Sequence, residues 1–282
     1  MAKISVIIPA YNEEAAIAEV IKRVKNVSFD YELIVVDDGS TDKTAFIAEG
    51  LGVRVIRHPY NKGYGEAIKT GVKAASYNVV FLLDADRQHN PEDIPRFLAY
   101  LGEFDMVVGE RRRGSRVPPI RRIGKWFLRK VAIFLARRDI PDLNSGFRLV
   151  KKNILLNFIP ILPDTFSLST TLTLAVIKSG YTIKYIPIKT EERLGRSTLN
   201  PLRDGYKTLM LIFSLIVLFD PLRVFCPAGM ILLIPGFFYT MYELFFHHNI
   251  PDSGILFITV GINLLFFGIL SEQINQIRRQ IK

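Results

Sequence analysis

The stretch Phe81-Leu-Leu-Asp84-Ala-Asp86-Arg-Gln88 joins an apolar, strand-like run to two carboxylates spaced i, i+2, with a side-chain amide two residues further on. On a strand, residues i and i+2 point to the same face. Asp84 and Asp86 can then converge on one hard cation, and Gln88 adds a neutral oxygen if the chain turns there. An open oxygen cluster of this kind suits Mg2+ or Mn2+ held partly by substrate phosphates. Two solvated acids at a strand end are the competing reading. Asp-x-Asp is common by chance, so the surrounding elements decide.

Residues 1–110 alternate strand and helix. Ile4–Ile8, Leu33–Asp37, Val53–Arg57, Val79–Asp84 and Met106–Val108 are short, β-branched runs that predict buried strands. Between them, Glu13–Lys25, Asp42–Glu49, Gly65–Ala75 and Pro91–Leu101 have helical spacing, with start signals such as Ser40-Thr41 and Asn90-Pro91. The alternation predicts an α/β fold with a mostly parallel sheet. Ligands of such sheets bind at the C-terminal strand ends. Asp37-Asp38-Gly39-Ser40, Asn61-Lys62-Gly63 and Asp84-Ala-Asp86 all fall at those ends. Downstream, Arg121–Arg137 predicts a basic helix, Asp142–Arg148 a loop, Phe166–Ser179 a helix and Thr182–Ile188 a strand. Arg193–Pro201 is rich in turn residues.

Hydrophobic residues make up 49 % of the 282, and they concentrate after residue 207. Lys207–Phe219 is too short to span comfortably and predicts an interfacial helix. Residues 224–246 and 254–274 can each cross roughly 30 Å of hydrocarbon. Two buried core helices are the alternative, but little sequence remains to cover them. The connection between the two runs has no Lys or Arg, while Arg278, Arg279 and Lys282 follow the second. The positive-inside rule then places both ends in the cytoplasm. The expected organisation is a catalytic domain over 1–206, an interfacial helix over 207–222 and a transmembrane hairpin over 223–282, in a two-span membrane protein. The single cysteine, Cys226, excludes an intramolecular disulfide. The net charge of +10 is also localised: Arg111–Arg138 holds eleven Lys and Arg and no acid. Nucleic acid, an anionic membrane and a phosphorylated substrate are the three partners that would suit it.

The ordered set Val6-Ile-Ile-Pro9-Ala-Tyr11-Asn12-Glu13, Val36-Asp37-Asp38-Gly39-Ser40, Asn61-Lys-Gly63 and Asp84-Ala-Asp86 resembles the family-2 glycosyltransferases of GT-A fold. Asn144-Ser-Gly-Phe-Arg148, Arg193-x-x-Gly195-x-Ser197 and Asn200-Pro201-Leu-Arg-Asp204-Gly205 resemble the polyprenyl-phosphate hexosyltransferases, such as dolichol-phosphate mannose synthases. The resemblance implies inverting transfer of a hexose from GDP-mannose or UDP-glucose to a polyprenyl (dolichyl-type) phosphate at the cytoplasmic membrane face, with Mg2+ or Mn2+ as cofactor. It assigns Asp84, Asp86 and Gln88 to the metal. It assigns Pro9, Tyr11, Glu13, Asp37, Asp38, Lys62 and Asp84 to the nucleotide sugar, although an Asx-turn role competes for the two strand-end acids Asp37 and Asp38. Arg111, Arg121, Arg122, Arg193 and Ser197 match the acceptor phosphate, and Asp86, Arg193 and Asp142 carry the catalytic roles. Asp142 orients a hydroxyl or caps its loop. Thr198 stands where the family often has Lys. The four histidines look unremarkable, with His89 a neighbour of the metal.

Two other functions are weighed against this one. A processive polysaccharide synthase, or another family-2 transferase with a different lipid or glycan acceptor, shares the fold; the synthases usually carry Gln-x-x-Arg-Trp, which this chain lacks. A non-enzymatic basic protein on membrane or nucleic acid accounts for the charge run but leaves the acidic turn unexplained, and aromatic stacking residues are sparse within that run. No nucleic-acid partner is expected. Nothing in the sequence sets the oligomeric state.

Overall fold

The computed structural model describes residues 3–111, 119–191 and 201–280. It divides into two compact units, residues 1–201 and 202–282. The first opens with β1 (Ile4–Ala10), α1 (Ile17–Lys25), β2 (Tyr31–Asp37), α2 (Thr44–Gly50), β3 (Arg54–Arg57), α3 (Tyr64–Ala74) and β4 (Val79–Leu82). A 3-10 turn leads into α4 (Ile94–Leu98), followed by β5 (Met106–Arg111), α5 (Pro119–Ala136), β6 (Arg148–Lys151), α6 (Lys152–Phe158), α7 (Leu168–Lys178) and β7 (Ile183–Ile188). The strands form one sheet in the order β3-β2-β1-β4-β6-β5-β7. All pairings are parallel except the two made by β6.

The expected α/β sheet is present, with strand ends shifted by a few residues. β6 and α6 fall where the sequence predicts a loop and unassigned chain. The reason is local: β6 is only Arg-Leu-Val-Lys, and a four-residue run with charged ends carries no alternation to read. The helix expected from Glu13 starts at Ile17, because residues 12–14 are used in bonds to the 40–44 loop instead.

Pro9 lies buried in β1, a central strand, where a missing N–H ordinarily costs a ladder bond. Here β4 pairs with β1 only up to Ile7–Leu82, and Leu83 N–H donates to the Ile7 carbonyl at 3.0 Å. Beyond that point β4 has turned away, so the proline faces no partner that needs its hydrogen.

The core beneath this turn is aromatic. Phe81, Phe97 and Phe147 are fully buried and meet edge to face, with ring centroids 4.7, 5.0 and 5.4 Å apart. That geometry favours contact between ring edge and ring face. It locks the end of β4 to the segment entering β6.

The second unit contains α8 (Pro201–Phe219), α9 (Leu222–His247) and α10 (Asp252–Gln280). α8 begins six residues earlier than the sequence predicts; its starting proline is compatible with a first helical position. Its Leu215 and Phe219 are buried, and Asn275 on α10 donates to the Val217 carbonyl at 2.9 Å. α9 and α10 contain two helices long and apolar enough to cross a membrane, of 26 residues each, or about 39 Å at 1.5 Å per residue. They pack closely at glycines. A Cβ on Gly229 would stand 2.8 Å from the Gly261 carbonyl oxygen, and one on Gly261 would stand 2.9 Å from that of Gly229. Small residues let apolar helices approach in this way.

In the first unit, α3 lies on β1 at Gly71, where an added Cβ would be 2.4 Å from Ile7 Cγ2. Alanine is the better helix former by about 0.5–1 kcal/mol. Overpacking a well-filled core costs about 1–3 kcal/mol, so the clash outweighs the propensity. Gly71→Ala is expected to lower stability, seen as a fall in the thermal unfolding midpoint; an unchanged or raised midpoint contradicts this packing.

Candidate active site at the end of strand β4

β4 ends at Leu82, so Asp84 and Asp86 are presented by a turn rather than by a pleated strand. Strand alternation therefore does not orient them; side-chain and backbone contacts do. Asp86 Oδ1 accepts from the Gln88 N–H at 3.1 Å, an Asx-turn, and Arg87 adopts φ +64°. The left-handed conformation is uncommon for arginine. It is held from both sides: Arg87 reaches Glu19 at 2.9 Å and Glu191 at 3.4 Å. Glu191 also takes Arg23 at 3.1 Å, its N–H donates to the Gln88 carbonyl at 2.9 Å, and His89 bridges Thr190. Part-exposed ion pairs of this kind add little stability. Here they set the path of the turn.

Asp84 is gripped on two sides. The Tyr64 hydroxyl, at the start of α3, donates to Oδ1 at 2.7 Å. Opposite it lies Gly146, where a Cβ would stand 2.4 Å from Oδ2 and 2.7 Å from Oδ1. No side chain other than hydrogen fits there without moving the carboxylate. His89 Nδ1 is 3.7 Å from Oδ2, too far for a hydrogen bond, and is buried without a hydrogen-bond partner among the described residues. Burial lowers the His89 pKa, with Asp84, Asp86 and Asp142 opposing and Arg111 assisting. His89, expected from sequence only as a neighbour of the metal, thus sits in the field of all four groups.

Arg111 closes β5, and Asp142 receives it as a fork. Nε donates at 2.8 Å and Nη2 at 2.9 Å, to the two different carboxylate oxygens. Asp142 Oδ1 also accepts the Asn144 N–H at 3.1 Å. Burial raises the Asp142 carboxyl, but the Arg111 hydrogen bond and charge outweigh it, so its pKa is lowered. Arg111 is pushed up, first by that hydrogen bond and further by Asp84 and Asp86. Arg111 and Asp142, the acceptor-phosphate arginine and the catalytic-role aspartate of the sequence reading, are therefore partners of each other; Arg111 also interacts with Asp84 and Asp86, and Asp142 with His89.

At the neighbouring strand ends, Asp37 and Asp38 are both buried but differ. Asp38 is fully engaged: His58 Nδ1 lies 2.7 Å away, and the N–H groups of Lys62 and Gly63 donate at 2.9 and 2.8 Å. It organises the 61–63 loop, with His58 braced by Thr70 at 2.9 Å. Asp37 Oδ1, by contrast, is buried with no hydrogen-bond partner among the described residues. Asn12 (φ +53°) accepts the Thr41 N–H at 2.8 Å, and Glu13 N–H donates to Thr44 Oγ1 at 2.8 Å, which zips the two loops together. Tyr11 stands exposed beside them. The Lys62 ammonium lies over the Tyr60 ring.

Both bonds that Gln88 makes here run through its backbone, as N–H donor and as C=O acceptor. Arg121 and Arg122 lie on α5, with side chains outside the described ones; Arg193 and Ser197 lie outside the described residues. Tyr64 and Gly146 were not singled out from sequence, and His89 was named only as a neighbour of the metal. Gly146 stood within the Asn144–Arg148 motif, which was the one signal available.

The donor set fits a hard divalent cation in one specific sense. Among the described residues no group of three His, Cys, Asp or Glu could cage an ion. Two carboxylates at the mouth of a turn suit Mg2+ or Mn2+ only when substrate oxygens complete the shell.

The family Glycosyl transferase family 2 matches residues 5–158, more than half the chain and the whole acidic turn. The chain belongs to glycosyl transferase family 2. Residues 220–277 of this glycosyltransferase match the GtrB C-terminal hairpin. It is 32% identical to the dolichyl-phosphate hexose transferase of Haloferax volcanii, over 72% of this chain and 89% of that one. It is 29% identical to the undecaprenyl-phosphate 4-deoxy-4-formamido-L-arabinose transferase of Proteus mirabilis, over 99% of this chain and 90% of that one. Among solved structures, glucosyl-3-phosphoglycerate synthase of Mycobacterium tuberculosis, in complex with Mn2+, UDP and glucosyl-3-phosphoglycerate, shares the fold. Its TM-score is 0.63 at 24% identity, covering 76% of this chain and 79% of that one.

Gly146→Ala must displace the Asp84 carboxylate while leaving the surrounding core intact. Misplacing a reacting group by about 1 Å costs up to about 100-fold. The expected result is a loss of at least roughly tenfold in metal-dependent transfer with an unchanged circular dichroism spectrum; full activity would show that Asp84 is free to move.

Proposed function

We propose that this family-2 glycosyltransferase moves a hexose from a nucleotide sugar, GDP-mannose or UDP-glucose, to a polyprenyl phosphate at the cytoplasmic face of a membrane, with inversion at the anomeric carbon. The observation that carries the reading is the pairing of an acidic turn with the Arg111–Asp142 fork in one electrostatic site. One half suits a metal-bound diphosphate and the other a second phosphate. The relatives named for dolichyl and undecaprenyl phosphate support the acceptor class. The hairpin favours a lipid over a soluble phosphate such as phosphoglycerate.

Asp84 and Asp86 would hold Mg2+ or Mn2+, which neutralises the charge that develops on the departing diphosphate. The Mn2+ and UDP of the Mycobacterium tuberculosis structure support a divalent ion in general. Asp37, with its unpaired buried oxygen, suits a base or ribose donor group. Asp38 serves that subsite indirectly, through the loop it holds. An acceptor phosphate is already ionised at neutral pH, its second pKa being about 6. No residue need remove its proton. Its oxygen attacks the anomeric carbon, the bond from that carbon to the diphosphate breaks, and the nucleoside diphosphate leaves on the opposite face. Asp142 stays ionised and keeps the Arg111 fork aimed, so that two anions can approach. Arg121, Arg122, Arg193 and Ser197 join this acceptor side on the strength of their motifs. The charge pattern around the hairpin supports an orientation with both termini in the cytoplasm.

Membranes holding the full chain are incubated with labelled nucleotide sugars, dolichyl phosphate and Mn2+. A labelled, metal-dependent lipid product is expected with one donor, and Asp86→Ala should reduce it by at least about 100-fold without loss of protein. No labelled lipid with any common donor contradicts the proposal.

A further inference from the structure

Arg148 opens β6 and is fully buried. Nε and Nη2 both donate to the Ser145 carbonyl, the first at 3.0 Å; Nη1 donates to the Ser169 carbonyl at 3.2 Å and to Thr173 Oγ1 at 3.3 Å. All these acceptors are neutral. Among the described residues no Asp or Glu is within ion-pair distance of it. A cation taken out of water needs an opposite charge, or the burial is strongly unfavourable. The acids near enough to feel it, Asp142 and Asp84, already have partners in Arg111 and Tyr64.

The position of this charge matters. The Ser145 carbonyl that the guanidinium holds immediately precedes Gly146, the residue against which the Asp84 carboxylate lies. Thr170 on α7 secures the same segment by donating to Asn144 Oδ1. A permanent cation therefore stands directly behind the acidic turn, screened from water by protein on all sides. Low local polarisability extends the reach of such a charge well beyond what it would have in solvent.

We propose that Arg148 is a positioning residue and the built-in counter-charge of this site, whose negative complement is completed by the phosphates of the substrates. The proposal rests on the reading of the site as one that binds a nucleoside diphosphate. The unliganded protein carries an under-compensated cation. Arrival of the diphosphate relieves it, so Arg148 favours binding without touching the ligand. The fork on Ser145 meanwhile keeps Gly146 in place under Asp84.

The test uses the full chain in detergent and measures the affinity for UDP and for GDP, each with Mn2+, together with the unfolding midpoint. Arg148→Gln keeps a donor for Ser145 and removes the charge; Arg148→Lys keeps the charge and removes the fork. The expected result is a Kd raised by roughly tenfold or more in Arg148→Gln and by no more than about threefold in Arg148→Lys. The unfolding midpoint of the unliganded Gln variant should fall no further than that of the Lys variant. A purely structural role reverses this pattern, lowering both midpoints and leaving both affinities alike; that result overturns the proposal, as does failure of both variants to fold. Absence of UDP and GDP binding in the wild-type chain overturns the donor reading together with this proposal. Wild-type binding with an unchanged Arg148→Gln overturns this proposal alone.

Discussion

The Asp84 carboxylate, fixed between a tyrosine hydroxyl and the bare backbone of a glycine, is the constraint on which the rest of the site depends. Tyr64 approaches from α3 and Gly146 from the segment that enters β6. Neither contact exists unless the sheet brings the end of β4 between them. The antiparallel strand β6 is what does so, by inserting between β4 and β5. The same insertion delivers Arg148 to the core and Asp142 to Arg111. A carboxylate at a turn would ordinarily sample several rotamers and lose that freedom only on binding. Fixing it beforehand removes that cost from the binding step.

The electrostatics follow from the same arrangement. Two acids, a bidentate Arg–Asp pair and a buried arginine share one small volume, and their effects on one another are mutual. Asp142 is held ionised by Arg111, and Arg111 is held charged by three acids. Such a site is suited to bringing anions together rather than to moving protons. That is what transfer to a phosphate acceptor asks of it, since the nucleophile arrives already ionised. An apolar hairpin long enough to cross a membrane accompanies this chemistry, which suits the lipid acceptor proposed above.

Much of this was legible in the sequence because strands buried on both faces are written as β-branched runs, and strand-end loops as Gly and Asp clusters. Ile4–Ile8 and Leu33–Asp37 are of that kind, and the acidic turn stands out for the same reason. β6 was not legible, being four residues long with charged ends. The partners of Asp84 were hidden for a different reason: Tyr64 and Gly146 are 20 and more residues away along the chain, and their meeting is a property of the sheet order. The distinction between Asp37 and Asp38 was equally hidden. Two adjacent, buried acids read alike until His58 and the Lys62 and Gly63 N–H groups are seen to engage only one. The expectation that strand alternation aims Asp84 and Asp86 fails because β4 ends at Leu82 and the chain turns away from β1 beyond it.

The central claim is that Asp84 and Asp86 hold a divalent ion jointly with a nucleoside diphosphate. Electron–nuclear double resonance on the wild-type chain loaded with Mn2+ and UDP or GDP addresses it directly, through hyperfine coupling of the ion to phosphorus. Strong phosphorus coupling from protein-bound Mn2+, abolished by Asp84→Asn, is the predicted result. Mn2+ and diphosphate bound together equally well in Asp84→Asn would contradict the account.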